Sequence, residues 1–501
     1  MTAWPSHPET WLVAAPALAA ALAFLLGDRA RRTLVGVVTA VVAWAWCGVV
    51  RNLLRQGDYE HVIGGWPAPL GITWQVDGLA AVMIGLSVLT GIGVNVYSLA
   101  YFGADEEERH RARYFWPLWF FLWAALHALF LSRDIFNWYV TLELSGLAAV
   151  ALITLSGKPE ALTGGMRYLL LALCASLFYL LGIALLYAQF GVLDLDGLAA
   201  VLKPSLPASV AMGVMTFGLA IKAALFPMHG WLPPAHANAP SPVSAVLSAL
   251  VVKGGFYILL RLMTELWSPV SAAALAQGLG VLGAGAIVWG SYHALRQARL
   301  KTLIAYSTVA QLGYLFLMFP LMAAGWGMDN DWASRAWAGG VYQAVSHGLA
   351  KASLFLAAGV LIHARGDDAL EGLRGLGEKL PMTATAMALA GISLLGIPPG
   401  AGFIAKWLLL TVATASGQWW WAAVMVAGGL MAVGYLFRIF RRLLTQAEHP
   451  VFHRPSRWLE GAALGLAILS IGFGLSSLPL LEVLGVGADD IFRTYFGGRG
   501  S

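Results

Sequence analysis

The sequence predicts an all-α polytopic membrane protein of about fourteen transmembrane helices, and three observations carry that prediction. The chain is 59% hydrophobic and only 11% charged, whereas soluble globular domains run near ~25% charged and can cover themselves against water. Apolar runs of the roughly 20 residues needed to cross a hydrocarbon core recur almost without pause from Trp11 to Leu480. The runs are continuous rather than the short alternating segments of a strand barrel, so helices, which satisfy their own backbone groups, are the spanning element.

In chain order the runs lie at about 10–27, 33–54, 77–101, 114–132, 134–156, 161–189, 208–226, 243–265, 271–292, 301–323, 336–362, 382–414, 419–441 and 458–480. The first has no basic residue ahead of it and no small-residue cleavage site, so it reads as a retained helix rather than a signal peptide. Cys47 and Cys174 lie within runs and no CxxC occurs. Thiolates therefore supply neither an iron–sulfur cluster nor a zinc site, and any redox centre belongs to another chain. No soluble domain interrupts the helices. The longest polar connections are "GADEEERHRARY" (103–114), "HARGDDALEGLRGLGEKLP" (363–381) and "TQAEHPVFHRPSRWLE" (445–460). The second alternates apolar and charged residues and predicts a short amphipathic helix at the membrane surface. "GQWWWAA" at 417–423 suits an aromatic belt.

The formal net charge of +5 reads as topology rather than nucleic-acid binding. Of the 31 Lys/Arg, nineteen fall in loops on one side, including Arg29, Arg31, Arg32, Arg296, Arg299, Arg441 and Arg442. Eight fall in the other loops and the tail, among them Arg51, Arg133, Lys203 and Arg335, and four lysines lie inside helices. The positive-inside rule then faces the basic loops to the cytoplasm and both termini outward, as expected for a multi-pass protein of the cell inner membrane.

The charges inside the runs are the functional signal. They are Glu143 in "NWYVTLELSGLAAV", Lys222 in "VMTFGLAIKAALFPMHGWLPPAHANAPSP", Lys253 in "SALVVKGGFYILL", Lys351 in "AVSHGLAKASLFLAAG" and Lys406 in "GIPPGAGFIAKWLLL". Even on lenient insertion scales such a residue costs about 2.5–3.5 kcal/mol, so five of them imply a use. Snorkelling to an interface is the bland alternative, and Lys253 is the lysine best placed for it. Lysine can lose its proton when desolvated whereas arginine effectively cannot, so one acid and four lysines suit a proton relay. Gln343, His347 and Lys351 recur every four residues and share one helix face, a polar stripe. Ser307, Gln311 and Tyr314 make a weaker one that packing alone could explain. His127 stands alone and reads as a satisfied core residue. His229 and His236 follow the seventh run, where a proton-loading role and a loop role are equally open. Asp77 and Asp134 begin helices, where an acid is favoured by the helix dipole. Lys222 is followed by Pro227, and Pro398 and Pro399 precede Lys406. Two Gly/Pro-interrupted spans, each with one lysine and five helices apart, point to an internal repeat with the ion path at the breaks. The sequence offers no cofactor motif, no GxxxxGK[ST] segment and no metal-ligand spacing.

"TLELSGL", "IKAALFPMHGWLPPAHANAPSPVSAVLSALVVKGGFYILLR", "RLKTLIAYSTVAQLGYL", "SHGLAKASLFLAAG" and "GIPPGAGFIAKWLLL" occur in that order. They resemble the antiporter-like subunits shared by Mrp-type cation/proton antiporters, respiratory complex I and membrane-bound hydrogenases. The similarity runs from about residue 75 to 440. It implies two inverted five-helix repeats with broken seventh and twelfth helices. Helices 1–3 would then occupy 1–110, the first repeat 111–268, the second 269–445, and a last helix and tail 446–501. By motif, Glu143 resembles the acid that pairs with the lysine of the seventh helix, here Lys222. Lys253 resembles the lysine of the eighth helix, His347 and Lys351 the stripe of the eleventh, and Lys406 the terminal group of the twelfth. Lys406 is unlike the complex I subunit type that carries glutamate there, and the short C-terminal tail is unlike the longest type.

The resemblance implies a proton-translocating subunit of a hetero-oligomeric Na+/H+ antiporter of D-type Mrp character, with other membrane subunits, protons, a monovalent cation and the lipid bilayer as partners. It implies no nucleic acid and no self-contained enzyme activity. The alternative expectations are a proton-pumping subunit of a complex I-like or hydrogenase oxidoreductase, or the membrane partner of an inorganic-carbon uptake complex.

Overall fold

The computed structural model describes residues 7–488 apart from 69, 105, 268, 327, 329–330 and 447–452. Helices α1 (Glu9–Leu25) and α2 (Asp28–Gln56) lead into a two-stranded antiparallel hairpin, β1 (Tyr59–Val62) with β2 (Thr73–Val76). Four long helices follow: α3 (Gly78–Tyr101), α4 (Glu106–Leu131), α5 (Ile135–Ile153) and α6 (Pro159–Phe190). After the short α7 (Leu195–Val201) and then α8 (Leu206–Lys222), the chain leaves helical form. It resumes as α9 (Leu232–Asn238) and α10 (Ser241–Val246), which runs through a π-helical turn at 247–251 into α11 (Val252–Arg261). Next come α12 (Pro269–Arg296), α13 (Leu300–Ala323) and α14 (Trp332–Arg365), then the one-turn α15 (Leu376–Lys379). The last described helices are α16 (Pro381–Leu395), α17 (Ala401–Ala415), α18 (Trp419–Leu444), α19 (Arg457–Leu475) and α20 (Leu478–Gly485).

Among the described residues, eleven helices are long and apolar enough to cross a membrane, and four apolar helices are shorter, at 10–17 residues. Two of the shorter ones, α16 and α17, divide the single long run expected at 382–414. Gly396 in left-handed backbone (φ 76°) ends α16, and Gly400 caps the start of α17. A Cβ on Gly402 would lie 1.9 Å from the Ser393 carbonyl, so only glycine lets the two half-helices pack this closely. The other break follows Lys222, where Ala224 takes a positive φ of 52°.

Depth in the bundle separates the helices. The spans containing α10–α11, α13 and α14 are 100%, 89% and 94% buried, against 33% for α2 and α18. The lysines sit on or against the three central spans, and the outer helices show apolar side chains to lipid. At 34 residues, α14 extends about 51 Å at 1.5 Å per residue, longer than a hydrocarbon core is thick.

Two local expectations differ from the structure. The polar stretch 363–381 does not form a continuous amphipathic helix. It forms a 3₁₀ turn at 370–373 and one turn of helix, α15. Its charges are spent locally, Arg299 on Asp368 at 2.9 Å, and its backbone is tied at Gly375 to the Thr445 carbonyl at 2.8 Å. The hairpin at 59–76 had no counterpart among the apolar runs. It is turned by Gly64 and Gly65, both at positive φ.

Candidate functional site

The site begins at the break after α8. Lys222, the last residue of that helix, donates to Glu143 Oε1 from α5 at 2.9 Å, and the Ser176 hydroxyl of α6 donates to the same oxygen. The backbone N–H groups of Ala223, Ala224 and Leu225 turn back onto the last carbonyls of α8, and Trp231 Nε1 also donates to one of them, Ile221, at 3.0 Å. Gly255 on α11 lets the next lysine-bearing helix approach. A Cβ there would sit 3.0 Å from both the Leu219 carbonyl and Lys222 Cβ.

Lys253 is wholly buried and cannot snorkel, contrary to what its position in the run allows. Its ammonium donates to the Ser248 carbonyl at 2.6 Å and lies 2.7 Å from His347 Nδ1 of α14. Ser248 lies in the π turn, whose widened register presents that carbonyl to the lysine, a common use of such bulges at functional sites. The stripe on α14 therefore serves two neighbours. His347 meets α11, while Lys351 turns to α13, donating to the Ile304 carbonyl at 3.0 Å and to the Ser307 hydroxyl. Gln343 donates to Gln311 at 3.1 Å. Lys406 on α17 donates to the Leu394 and Leu395 carbonyls at 2.7 and 3.2 Å, the carbonyls left open where α16 ends. The Tyr314 ring lies beneath that ammonium at 4.4 Å.

The same logic recurs along the relay lysines. Each ammonium past the first is held by backbone carbonyls or hydroxyls at a helix irregularity or a neighbouring helix, whereas Lys222 has a carboxylate. The other expected residues divide. His127 Nδ1 is bonded to the Leu12 carbonyl at 2.7 Å and ties α1 to α4. His229 stacks on Phe226. His236 is fully buried against Phe355, with no protein partner on either ring nitrogen among the described residues. Asp77 and Asp134 cap their helices, accepting from Ala80 N–H at 2.8 Å and Asn137 N–H at 2.7 Å.

Three features escaped the sequence reading. Lys301, counted with the loops, is buried and donates to the Ala239 carbonyl. It borders a cavity of about 460 Å³ that also meets Lys158, Arg299 and Asp367, at the end of the bundle where α9 stops. Arg261 on α11 is a further cation inside the spans, bidentate to Asp77 at 2.5 and 2.7 Å and bonded to Glu265 at 2.8 Å. Arg133 extends that network to Glu265 at 2.7 Å and Asp196 at 2.5 Å. Burial alone would lower the Arg133 pKa, but those two carboxylates outweigh it and raise the pKa above its ordinary value. The capping role of Asp77 was legible. Its ion pair was not, because the partner lies on a helix far along the chain.

Comparison with known proteins sets this geometry in context. A model of the family described as NADH:quinone oxidoreductase/Mrp antiporter, transmembrane, matches residues 132–432. That stretch holds Glu143, Lys222, Lys253, His347, Lys351 and Lys406. The N subunit of NADH-quinone oxidoreductase from Desulforudis audaxviator is 34% identical over 459 residues, covering 88% of this chain and 89% of its own. The D subunit of a Na(+)/H(+) antiporter from Alkalihalophilus pseudofirmus is 29% identical over 401 residues, covering 78% and 76%. A chain in the solved Mrp complex from Dietzia superimposes with a TM-score of 0.86 over 98% of this chain and 99% of that one, at 24% identity. That last likeness is one of fold.

Proposed function

Since the chain belongs to the NADH:quinone oxidoreductase/Mrp antiporter transmembrane family, we propose that it is the proton-translocating membrane subunit of a multi-subunit Na+/H+ antiporter. The observation that carries the reading is the Glu143–Lys222 pair, 2.9 Å apart at the broken end of α8. A carboxylate beside a lysine favours the ammonium, and moving the carboxylate away removes that stabilisation. The proton held on Lys222 then passes to Lys253 across the close α8–α11 contact at Gly255. From Lys253 it crosses through His347 and Lys351 to Lys406 and leaves at the α16–α17 break. Water bridges the groups that do not touch. The π turn and the α16–α17 break supply the carbonyls that hold Lys253 and Lys406 between steps, and α13 supplies the acceptors of Lys351. The chain's two halves, 111–268 and 269–445, each contribute one broken helix and one terminal lysine. We place both termini on the outer face of the cell membrane, with the basic loops in the cytoplasm.

A second reading is favoured by one observation, the 34% identity over 459 residues to an oxidoreductase subunit. In it the same relay is driven by electron transfer on partner chains instead of being coupled to the exit of sodium. One experiment separates the two. Everted vesicles carrying the chain with its partner subunits are assayed with a pH-sensitive dye, wild type beside Lys222→Ala. Sodium-dependent dequenching that the variant lacks is the expected result. An assembled complex with no response to any monovalent cation overturns the antiporter and leaves the redox-driven pump.

A further inference from the structure

We propose that His7, Glu9 and His61 form a binding site for a divalent transition-metal ion of the zinc class, at the end of the bundle where α1 meets the β1–β2 hairpin. Glu9 opens α1 and is wholly buried. Both histidines converge on one of its oxygens. His7 Nδ1 lies 3.0 Å from Glu9 Oε1 and His61 Nδ1 lies 2.8 Å from it. The three ligand atoms fall within 4.8 Å of one another. Around a tetrahedral zinc ion with bonds of about 2.0–2.1 Å, neighbouring ligand atoms stand roughly 3.3 Å apart. The two nitrogen–oxygen distances therefore reach ligating values by opening a few tenths of an ångström.

Three details favour a shared metal over an ordinary ion pair. His61 Nδ1 is close to the carboxylate yet has no hydrogen-bond partner among the described residues. A nitrogen this near an anionic oxygen, with no hydrogen bond between them, is a poor contact unless a cation joins them. The two imidazole rings stack with centroids 4.1 Å apart, so protonating both places two like charges face to face. A single metal ion between the nitrogens and Glu9 neutralises the buried carboxylate without that repulsion. The Tyr59 hydroxyl donates to the other carboxylate oxygen, Oε2, at 3.1 Å. It fixes the ligand's orientation as outer partners of metal ligands commonly do.

The fold supplies the rest. Tyr59 and His61 alternate on β1, so both project to the same face. His7, on the exposed side, leaves a route in and room for water as a further ligand. Two imidazoles and a carboxylate form a donor set suited to zinc and also to nickel and copper. Spacing along the sequence could not reveal it, because His61 is carried in from a strand beyond α2. The ion would pin α1 to the hairpin.

The test uses the full chain in detergent, purified on a tag without histidine, with Zn2+ as probe. Metal content after removal of free ion and the melting temperature against Zn2+ concentration are measured for wild type, His7→Ala and His61→Ala. Expected are one Zn2+ per chain and a melting temperature that climbs with Zn2+. Apparent affinity should fall at least ~10-fold in His61→Ala and less in the exposed His7→Ala. Equal binding in all three proteins, or none in any, overturns the site. So does a melting temperature indifferent to Zn2+ that rises on acidification through the histidine range, which would make the cluster a protonated histidine–carboxylate set.

Discussion

Lys253 and Arg261 lie on the same helix, about 12 Å apart along its axis at 1.5 Å per residue, and both are buried. Their surroundings are opposites. Arg261 is enclosed by two carboxylates and the Tyr257 hydroxyl, with Asp77 gripped at 2.5 and 2.7 Å. Lys253 touches a carbonyl and an imidazole and meets no carboxylate among the described residues. Guanidinium does not give up its proton in proteins, and its fork geometry rewards a bidentate acid. An ammonium held only by neutral acceptors has no fixed counter-charge to keep it ionised, so its charge can come and go. The pair of sites thus contrasts a locked ionic joint, which clamps α3, α11 and the α4–α5 turn, with a group free to change charge.

The sharpest way to break that contrast is to delete each cation. Arg261→Leu leaves Asp77 buried without its guanidinium and Glu265 with Arg133 alone, a change worth about 3–5 kcal/mol. It should sharply lower the yield and melting temperature of the protein in mild detergent. Lys253→Leu orphans no carboxylate and should fold near normally while losing transport. If Arg261→Leu matches wild type in stability, the network does not act as a clamp.

Keeping charge but changing its chemistry sharpens the comparison further. Lys253→Arg retains a cation that cannot pass a proton, so transport in vesicles should fall at least ~10-fold, a loss of about 1.4 kcal/mol or more in transition-state terms. Arg261→Lys keeps the charge and loses the bidentate grip. It should lower stability by about 1–2 kcal/mol and leave transport measurable. Equal transport by Lys253→Arg and wild type would mean that Lys253 carries charge and no proton.

What the sequence made legible follows the same division. Apolar runs, Pro-marked breaks and isolated lysines are local signals, and the helices and both interruptions stand where those signals lie. The Glu143–Lys222 pair is formed, although on residues alone nothing linked the two; the motif resemblance did. Features made by long-range contact stayed hidden. Arg261 sits near the end of an apolar run, so it read as a loop cation until Asp77 and Glu265 closed around it. His347 reaching Lys253 depends on how α14 crosses α11, which periodicity does not encode. Lys301 counts with the loop cations at the start of a run, yet it is buried and bonded to the Ala239 carbonyl just past α9. The stretch 363–381 had helical alternation, but its Gly and Asp residues and its ties to Arg299 and Thr445 favoured turns.

The smallest expected effect lies at the far end of the relay. Tyr314 presents its ring to Lys406 at 4.4 Å and donates its hydroxyl to the Met425 carbonyl at 3.0 Å. These contacts separate by substitution. Tyr314→Phe keeps the ring face and deletes the hydroxyl. The Lys406 ammonium keeps its cation–π partner and its two carbonyls, so transport should stay within about twofold of wild type, with a stability loss near ~1 kcal/mol for the missing hydrogen bond. Tyr314→Leu removes the ring. A cation–π contact in a desolvated site is worth about 1–2 kcal/mol, so the charged form of Lys406 is weakened by that amount and transport should drop by about fivefold to thirtyfold. Vesicle assays of the two variants side by side decide the matter. If Phe and Leu are equally impaired, the hydroxyl that anchors α13 to α18 matters and the ring does not, and Lys406 is held by the open end of α16 alone.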